Sequence, residues 1–266
     1  MDCTFASRTA WVVPVALAAL MVLAPSALLH AQRGAGPPTP PLSPRADAPI
    51  DLTGYWESFV TEDWRWRMVT PPKGSYHSIT LNAQARKIAD AWDPVRDEAT
   101  GNECKSYGAA AVMRVPGRLR ITWDNDTTLK IETEAGMQTR LLQFRASEPP
   151  AGEPTWQGHT VATWQLPQIL PSVGGRGGRG PVGTTLKTVT TRLRAGYLRK
   201  NGVPYSADAV VTEYYNVLSE LNGDTWLIVT NTVDDPQFLT QPFVTSSHFK
   251  KLADGSSWKP VACTAR

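Results

Sequence analysis

The chain has 266 residues, of which 19% are charged, and a formal net charge of only +3 at pH 7. A balance this small and dispersed does not imply a nucleic-acid surface, and no nucleic-acid partner is expected. Three cysteines without a CxxC pair, and His77, His159 and His248 without i, i+4 or H-x-H spacing, exclude the common zinc sites, so no metal is expected.

Met1 to Ala31 carries Arg8 near its start, an apolar run from about Trp11 to Leu23 broken by Pro14, and Leu29-His30-Ala31 before Gln32. This is the layout of a secretory signal peptide cleaved after Ala31. A membrane anchor would need a longer unbroken run to span roughly 30 Å, so stable membrane insertion is not expected after processing. The mature protein is therefore expected in the periplasm or outside the cell. Gln32 to Pro49 is rich in proline and small residues and reads as a disordered linker. Residues 50–266 read as a single domain with its own core. Cys3 falls in the leader, which leaves Cys104 and Cys263. In an oxidising compartment these two are candidates for a disulfide, the alternative being two separate free thiols.

From Tyr55 to Met68 the chain alternates like a strand. Trp64, Trp66 and Met68 share one parity, and Asp63, Arg65 and Arg67 the other. Prolines at 71 and 72 stop the pattern. Leu81 to Trp92 is the one helix expected, with Leu81, Ala85, Ile88, Ala89 and Trp92 on a single face. Asp93-Pro94 ends it, and a polar loop holding Cys104 follows. Segments 112–115, 119–123, 129–133 and 139–144 read as short strands separated by Pro116-Gly117, Asp124-Asn125-Asp126 and Ala135-Gly136, which are turn chemistry. Further strands are expected at 156–166, 186–192, 210–218, 226–233 and 243–249. Gly174 to Gly180 (GGRGGRG) reads as a flexible loop between two of them. About ten strands in a meander must curl or close to hide their edges. The fold expected is a mainly β, antiparallel up-and-down barrel of about 8–10 strands with one inserted helix.

Gly54-Tyr55-Trp56, at the first strand of such a meander, resembles the G-x-W start of lipocalins and related calycin barrels. That resemblance implies that Trp56 closes one end of the barrel under a basic residue. A wider stretch, from Asp51 to Lys251, is similar to a family of exported bacterial proteins of unknown function. It is carried by Cys104, Pro154-Thr155-Trp156-Gln157-Gly158-His159, Gly202-Val203-Pro204-Tyr205-Ser206 running to Glu213, and Asp235-Pro236 with Thr240 and Pro242. It implies an exported barrel-like domain without assigning an activity.

Two residues are candidates for acid-base chemistry. Glu213 lies between Val211 and Tyr215, where a carboxylate facing a barrel interior would have a perturbed pKa. If the opposite parity faces inward, Glu213 is simply solvated. His159 shares a parity with Val161 and Thr163, and a neutral imidazole on that face would serve as a general base, or else as a structural histidine. Asp63, Trp64, Arg65, Trp66 and Arg67, with Trp123 and Tyr215, are candidate ligand contacts: arginines for an acidic group, rings for a flat or apolar body. No serine-hydrolase elbow, phosphate loop or dinucleotide fingerprint occurs, so no cofactor is expected. The sequence supports an exported barrel binding a small apolar or aromatic ligand. The alternatives are a cofactor-independent isomerase, lyase or hydratase using Glu213 and His159, and a structural envelope domain with a filled barrel.

Overall fold

The computed structural model describes residues 42–145, 149, 151–166 and 184–266. The expected signal peptide and the Gly/Arg loop lie outside the described residues.

In chain order the elements are β1 (Gly54–Phe59), α1 (Trp64–Arg67), α2 (Ala83–Asp90), α3 (Pro94–Ala99) and two 3-10 turns (Glu103–Tyr107 and Val112–Arg114). They continue with β2 (Arg118–Asn125), β3 (Thr128–Thr133), β4 (Ala135–Gly136), β5 (Thr139–Phe144), β6 (His159–Gln165) and β7 (Thr185–Thr191). Last come β8 (Gly196–Arg199), β9 (Val203–Tyr205), β10 (Val210–Ser219), β11 (Thr225–Asp234), β12 (Phe243–Leu252) and β13 (Val261–Ala262).

Nine strands close into a barrel in the order β1-β12-β11-β10-β7-β6-β5-β3-β2. The barrel matches the expected class, with one departure from up-and-down order. A ring with an odd number of strands cannot alternate direction throughout, and the necessary parallel pair is β5 with β6, where Leu142 lies beside Thr160. The chain between Phe144 and His159 therefore returns to the end where β5 began.

That end is the capped one. Residues 60–117 leave it after β1, residues 192–209 after β7, and residues 235–242 after β11. The other end carries tight connections such as Asn222-Gly223-Asp224, where Glu220 N–H donates to the Asp224 carbonyl at 2.8 Å. It is covered by residues 42–50, of which 42–49 read from sequence as tether. Pro44 is buried there, the Trp164 indole donates to its carbonyl at 3.0 Å, and Arg45 N–H reaches the Asp126 carbonyl at 3.1 Å. Trp123, Phe144 and Trp164 form the aromatic floor beneath, with ring centroids 5.6 and 5.3 Å apart.

The barrel interior is filled in three layers. At the tightly connected end Trp56, Ile121, Leu129, Leu142, Leu186, Leu227 and Phe249 form one apolar cluster. At the capped end Val211, Val233 and Phe243 pack with Leu198, Val203 and Tyr205 from the β8-β9 hairpin, and with Ala85 and Ala89 of α2. Between them lies a polar belt set by register. Thr188, Glu213, Asn231 and Thr245 stand opposite one another on β7, β10, β11 and β12. Arg140 of β5 reaches across to this row. Its Nη1 and Nη2 donate to the two Glu213 oxygens at 2.8 and 2.6 Å, and both side chains are fully buried. Thr188 donates to the same carboxylate at 3.1 Å. Burial works to lower the Arg140 pKa, but the Glu213 charge overrides it and holds the guanidinium protonated.

Trp56 is fully buried, its indole donates to the Leu52 carbonyl at 2.9 Å, and Lys251 Nζ stands 5.3 Å from the ring centroid.

Three local expectations need correction. The opening strand ends at Phe59. Asp63 takes a left-handed conformation (φ 50°), and the chain then forms the helical turn α1, so residues 63–67 do not alternate between two faces. Val112–Arg114 is a 3-10 turn and not a strand, which removes one strand from the expected ten. Asp93-Pro94 ends α2 but also starts α3, because Asp93 Oδ1 accepts from the Val95 and Arg96 amides and Pro94 sits in the first turn.

Candidate functional site

The segments over the capped end surround an open-sided cavity of about 350 Å³. One wall is Trp66, Arg67, Met68 and Val69 from α1 and the residues after it. A second is Ala111, Arg114, Val115 and Pro116, and a third is Leu198, Arg199 and Lys200. The fourth is β4 with β13 and Thr264. β13 runs parallel to β4, and the bond between Cys104 and Cys263 ties it to the 3-10 turn that supplies Ser106 and Tyr107 to the lining. The disulfide expected from sequence is thus formed, and it fixes one side of this cavity.

The lining contains four cations, Arg67, Arg114, Arg199 and Lys200, and no carboxylate. The three arginines are 8%, 5% and 4% exposed, unusual values for guanidinium groups. Each is held from behind. Arg67 Nε donates to the Arg114 carbonyl at 2.9 Å and its Nη1 pairs with Glu62. Arg114 Nη1 pairs with Asp63 Oδ2 at 3.1 Å. Arg199 Nη1 donates to the His77 carbonyl at 2.7 Å, and its guanidinium lies over the Trp66 and Phe243 rings at 5.0 and 5.9 Å. Burial lowers the pKa of all three, and the Arg114 charge lowers Arg67 and Arg199 further, Arg199 to about 10. At neutral pH all remain charged. On the opposite side Lys200 Nζ stands 4.8 Å from the Tyr107 ring. Burial works to raise the Tyr107 hydroxyl, but Lys200 and Thr264 bring it below the ordinary phenol value.

Of the residues singled out from sequence, Trp66 and Arg67 line this cavity, and Asp63 anchors Arg114 from outside it. Trp64 and Arg65 point to solvent, with the Arg65 guanidinium 5.8 Å from the Trp64 ring. Trp123 belongs to the aromatic floor at the far end. Tyr215 is fully buried inside the barrel, where Arg140 Nη1 donates to its hydroxyl at 3.4 Å.

Glu213 and His159 are not brought together. Glu213 faces the interior with Val211 and Tyr215, one of the two orientations open from sequence. Thr160 and Ala162 are the inward residues of β6, so His159, opposite Thr191, stands on the outer face with Val161 and Thr163. An acid-base pair needs both groups within reach of one substrate atom, and the barrel wall lies between these two.

His159 has a measurable consequence nonetheless. Burial lowers its pKa below 6.5, and Arg192 lowers it further. The unfolded chain titrates near the ordinary value, so between the two values it binds the extra proton. Folding stability should therefore fall as pH drops through about 6.5 and level off below the depressed value. A His159→Gln protein should lose that part of the slope when urea midpoints are compared from pH 7 to pH 5.

The segments that carry the family resemblance meet at the capped end as structural clamps. Trp156 accepts from Ala109 N–H at 2.9 Å, and Gln157 Nε2 donates to the Tyr107 carbonyl at 2.8 Å. Gly158 takes φ 61° against the Thr191 carbonyl, where a side chain would collide. Ser206 donates through N–H and Oγ to the two Asp235 oxygens at 2.7 and 2.8 Å.

Fold and site together define a closed β-barrel of nine strands, with a filled interior and an arginine-lined cavity in its cap. No protein-family model, curated protein or solved structure matches this chain. Arg114 and Arg199 were missed by sequence reasoning. Each sits in a short apolar segment (VMRV and GYLR), and that is the signal that could have found them, since an arginine among residues destined for burial needs a partner.

Proposed function

We propose that this protein is an exported binding module that holds a small molecule in the cap cavity and not inside the barrel. The observation that carries the reading is the contrast between the two spaces. The barrel interior is occupied by packed side chains and a closed Arg140–Glu213 pair, while the cap holds about 350 Å³ lined by rings, aliphatic groups and cations. Such a mixture, mostly apolar with a few polar groups, is characteristic of ligand sites. A disulfide favours an oxidising compartment and so supports export.

The reading is tested by thermal shift of the purified chain against a chemically diverse fragment collection, repeated with Ala262→Trp. Ala262 lines the cavity yet is exposed, so an indole there should fill space without disturbing the core. Fragments that raise the Tm of the unmutated chain should lose that effect in the variant, whose ligand-free Tm should stay within about 2 °C, since surface substitutions usually cost under about 0.5 kcal/mol. Hits that shift both proteins equally, or a collection without hits, would refute the cavity as the site.

A further inference from the structure

We infer that the cap cavity takes an organic anion, with a carboxylate head on Arg67, Arg114 and Arg199 and an apolar body against Trp66, Val69, Leu198 and Val261. The inference rests on the proposed small-molecule site and specifies its ligand.

Four enclosed guanidinium nitrogens have no hydrogen-bond partner among the described residues: Arg67 Nη2, Arg114 Nη2, and Nε and Nη2 of Arg199. Buried donors are almost always satisfied, and unsatisfied charged ones cost most. The carboxylate partners come from outside the lining: Glu62 and Asp63 each take one nitrogen, and neither lines the cavity. The donors left over belong to residues of the wall itself.

Their geometry favours one head group. Arg199 spends Nη1 on the His77 carbonyl and keeps the Nε–Nη2 edge, which is the edge that pairs side-on with both oxygens of a planar carboxylate. A carboxylate offers about four acceptor positions, enough for one bond to each of the four unpartnered nitrogens. Arg114 and Arg199 flank the same Phe243 ring at 5.3 and 5.9 Å, and Arg67 holds the Arg114 carbonyl, so the three groups are neighbours. Arg67 and Arg114 each have a carboxylate partner, whereas Arg199 has none among the described residues, so the positive charge left on this wall is offset by an anion and left in place by a neutral ligand. A bare inorganic anion would satisfy the donors but leave the aliphatic walls uncovered.

Matched pairs on the purified chain decide the matter: benzoate against benzamide, and hexanoate against hexanamide, with inorganic phosphate at equal concentration. Binding is read by Tm and by quenching of tryptophan fluorescence. Each acid is expected to bind at least tenfold more tightly than its amide, to weaken with added NaCl, and to outbind phosphate. In Arg199→Gln the acids should fall to the level of their amides while the far-ultraviolet circular dichroism stays that of the parent. Equal binding of acid and amide would overturn the anion inference and leave the cavity reading intact, whereas failure of every probe and of the fragment collection would remove both. Phosphate binding as tight as the acids would overturn the apolar-body part. The acid-amide comparison needs no variant, so a misfolded Arg199→Gln protein would not rescue the idea.

Discussion

A Glu213→Leu protein will be less stable than its parent by about 3–5 kcal/mol, read as a lower urea midpoint at unchanged slope. The substitution leaves the Arg140 guanidinium fully buried without its carboxylate. Nothing nearby replaces it. Among the described residues the other groups within reach are the Tyr215 and Thr190 hydroxyls, at 3.4 and 3.5 Å. The loss should come mostly from the orphaned charge and not from the pair's own attraction, because a buried pair also carries a large desolvation penalty. Arg140→Met combined with Glu213→Leu should therefore recover most of the lost stability. If the double variant is as unstable as the single one, the belt is holding the barrel through the shape of its side chains, and the electrostatic account is wrong.

Removing the disulfide by Cys104→Ala with Cys263→Ala should cost about 2–5 kcal/mol. The bond closes a loop across a sequence separation of 159 residues, near the large end of the chain-entropy effect. The loosening should also be local. Val261, Ala262 and Thr264 form one wall of the cap cavity, and without the bond they are held by the short β4–β13 pairing, the Lys259 N–H to Glu134 contact and the long Thr264 contacts to Tyr107 and Lys200. Any fragment bound by the parent should bind the double variant more weakly, with the barrel's far-ultraviolet circular dichroism unchanged. A loss below about 1 kcal/mol with binding intact would show that pairing with β4 alone positions the C-terminal segment.

Much of the barrel was legible because strand alternation is a local property. β10, β11 and β12 each present mostly apolar or small residues at every second position, with Glu213 and Asn231 the exceptions, and the inward sets Val211-Glu213-Tyr215, Leu227-Val229-Asn231-Val233 and Phe243-Thr245-Ser247-Phe249 follow that parity. Parity alone does not say which set is inside. For His159 the deciding neighbours are Thr190 and Thr191 on β7, which are remote in sequence. The stretch from Glu62 to Arg67 alternates as well as any strand, yet a left-handed Asp63 and the demand of Arg114 for a carboxylate turn it into a helical turn. The β8-β9 hairpin escaped notice because its strands are too short to show a period.

The candidate site was legible only in part. The arginines and tryptophans of residues 64–67 stood out as a cluster, and two of those four residues, Trp66 and Arg67, do line the cavity. Their partners Arg114 and Arg199 come from separate insertions that converge over one end of the barrel, and a single sequence carries no spacing that links them.

The sequence by itself determined the class of fold, the ends of most barrel strands, and the two cysteines available to pair, because each follows from local periodicity, turn chemistry or simple counting. Tertiary structure decided the direction of the β5–β6 pair, the face of each strand, the closure of Arg140 on Glu213, and the gathering of three arginines around one cavity. Those features depend on which distant segments become neighbours, and that is settled by register around a closed ring and by packing of the cap. No residue's own neighbours along the chain encode it.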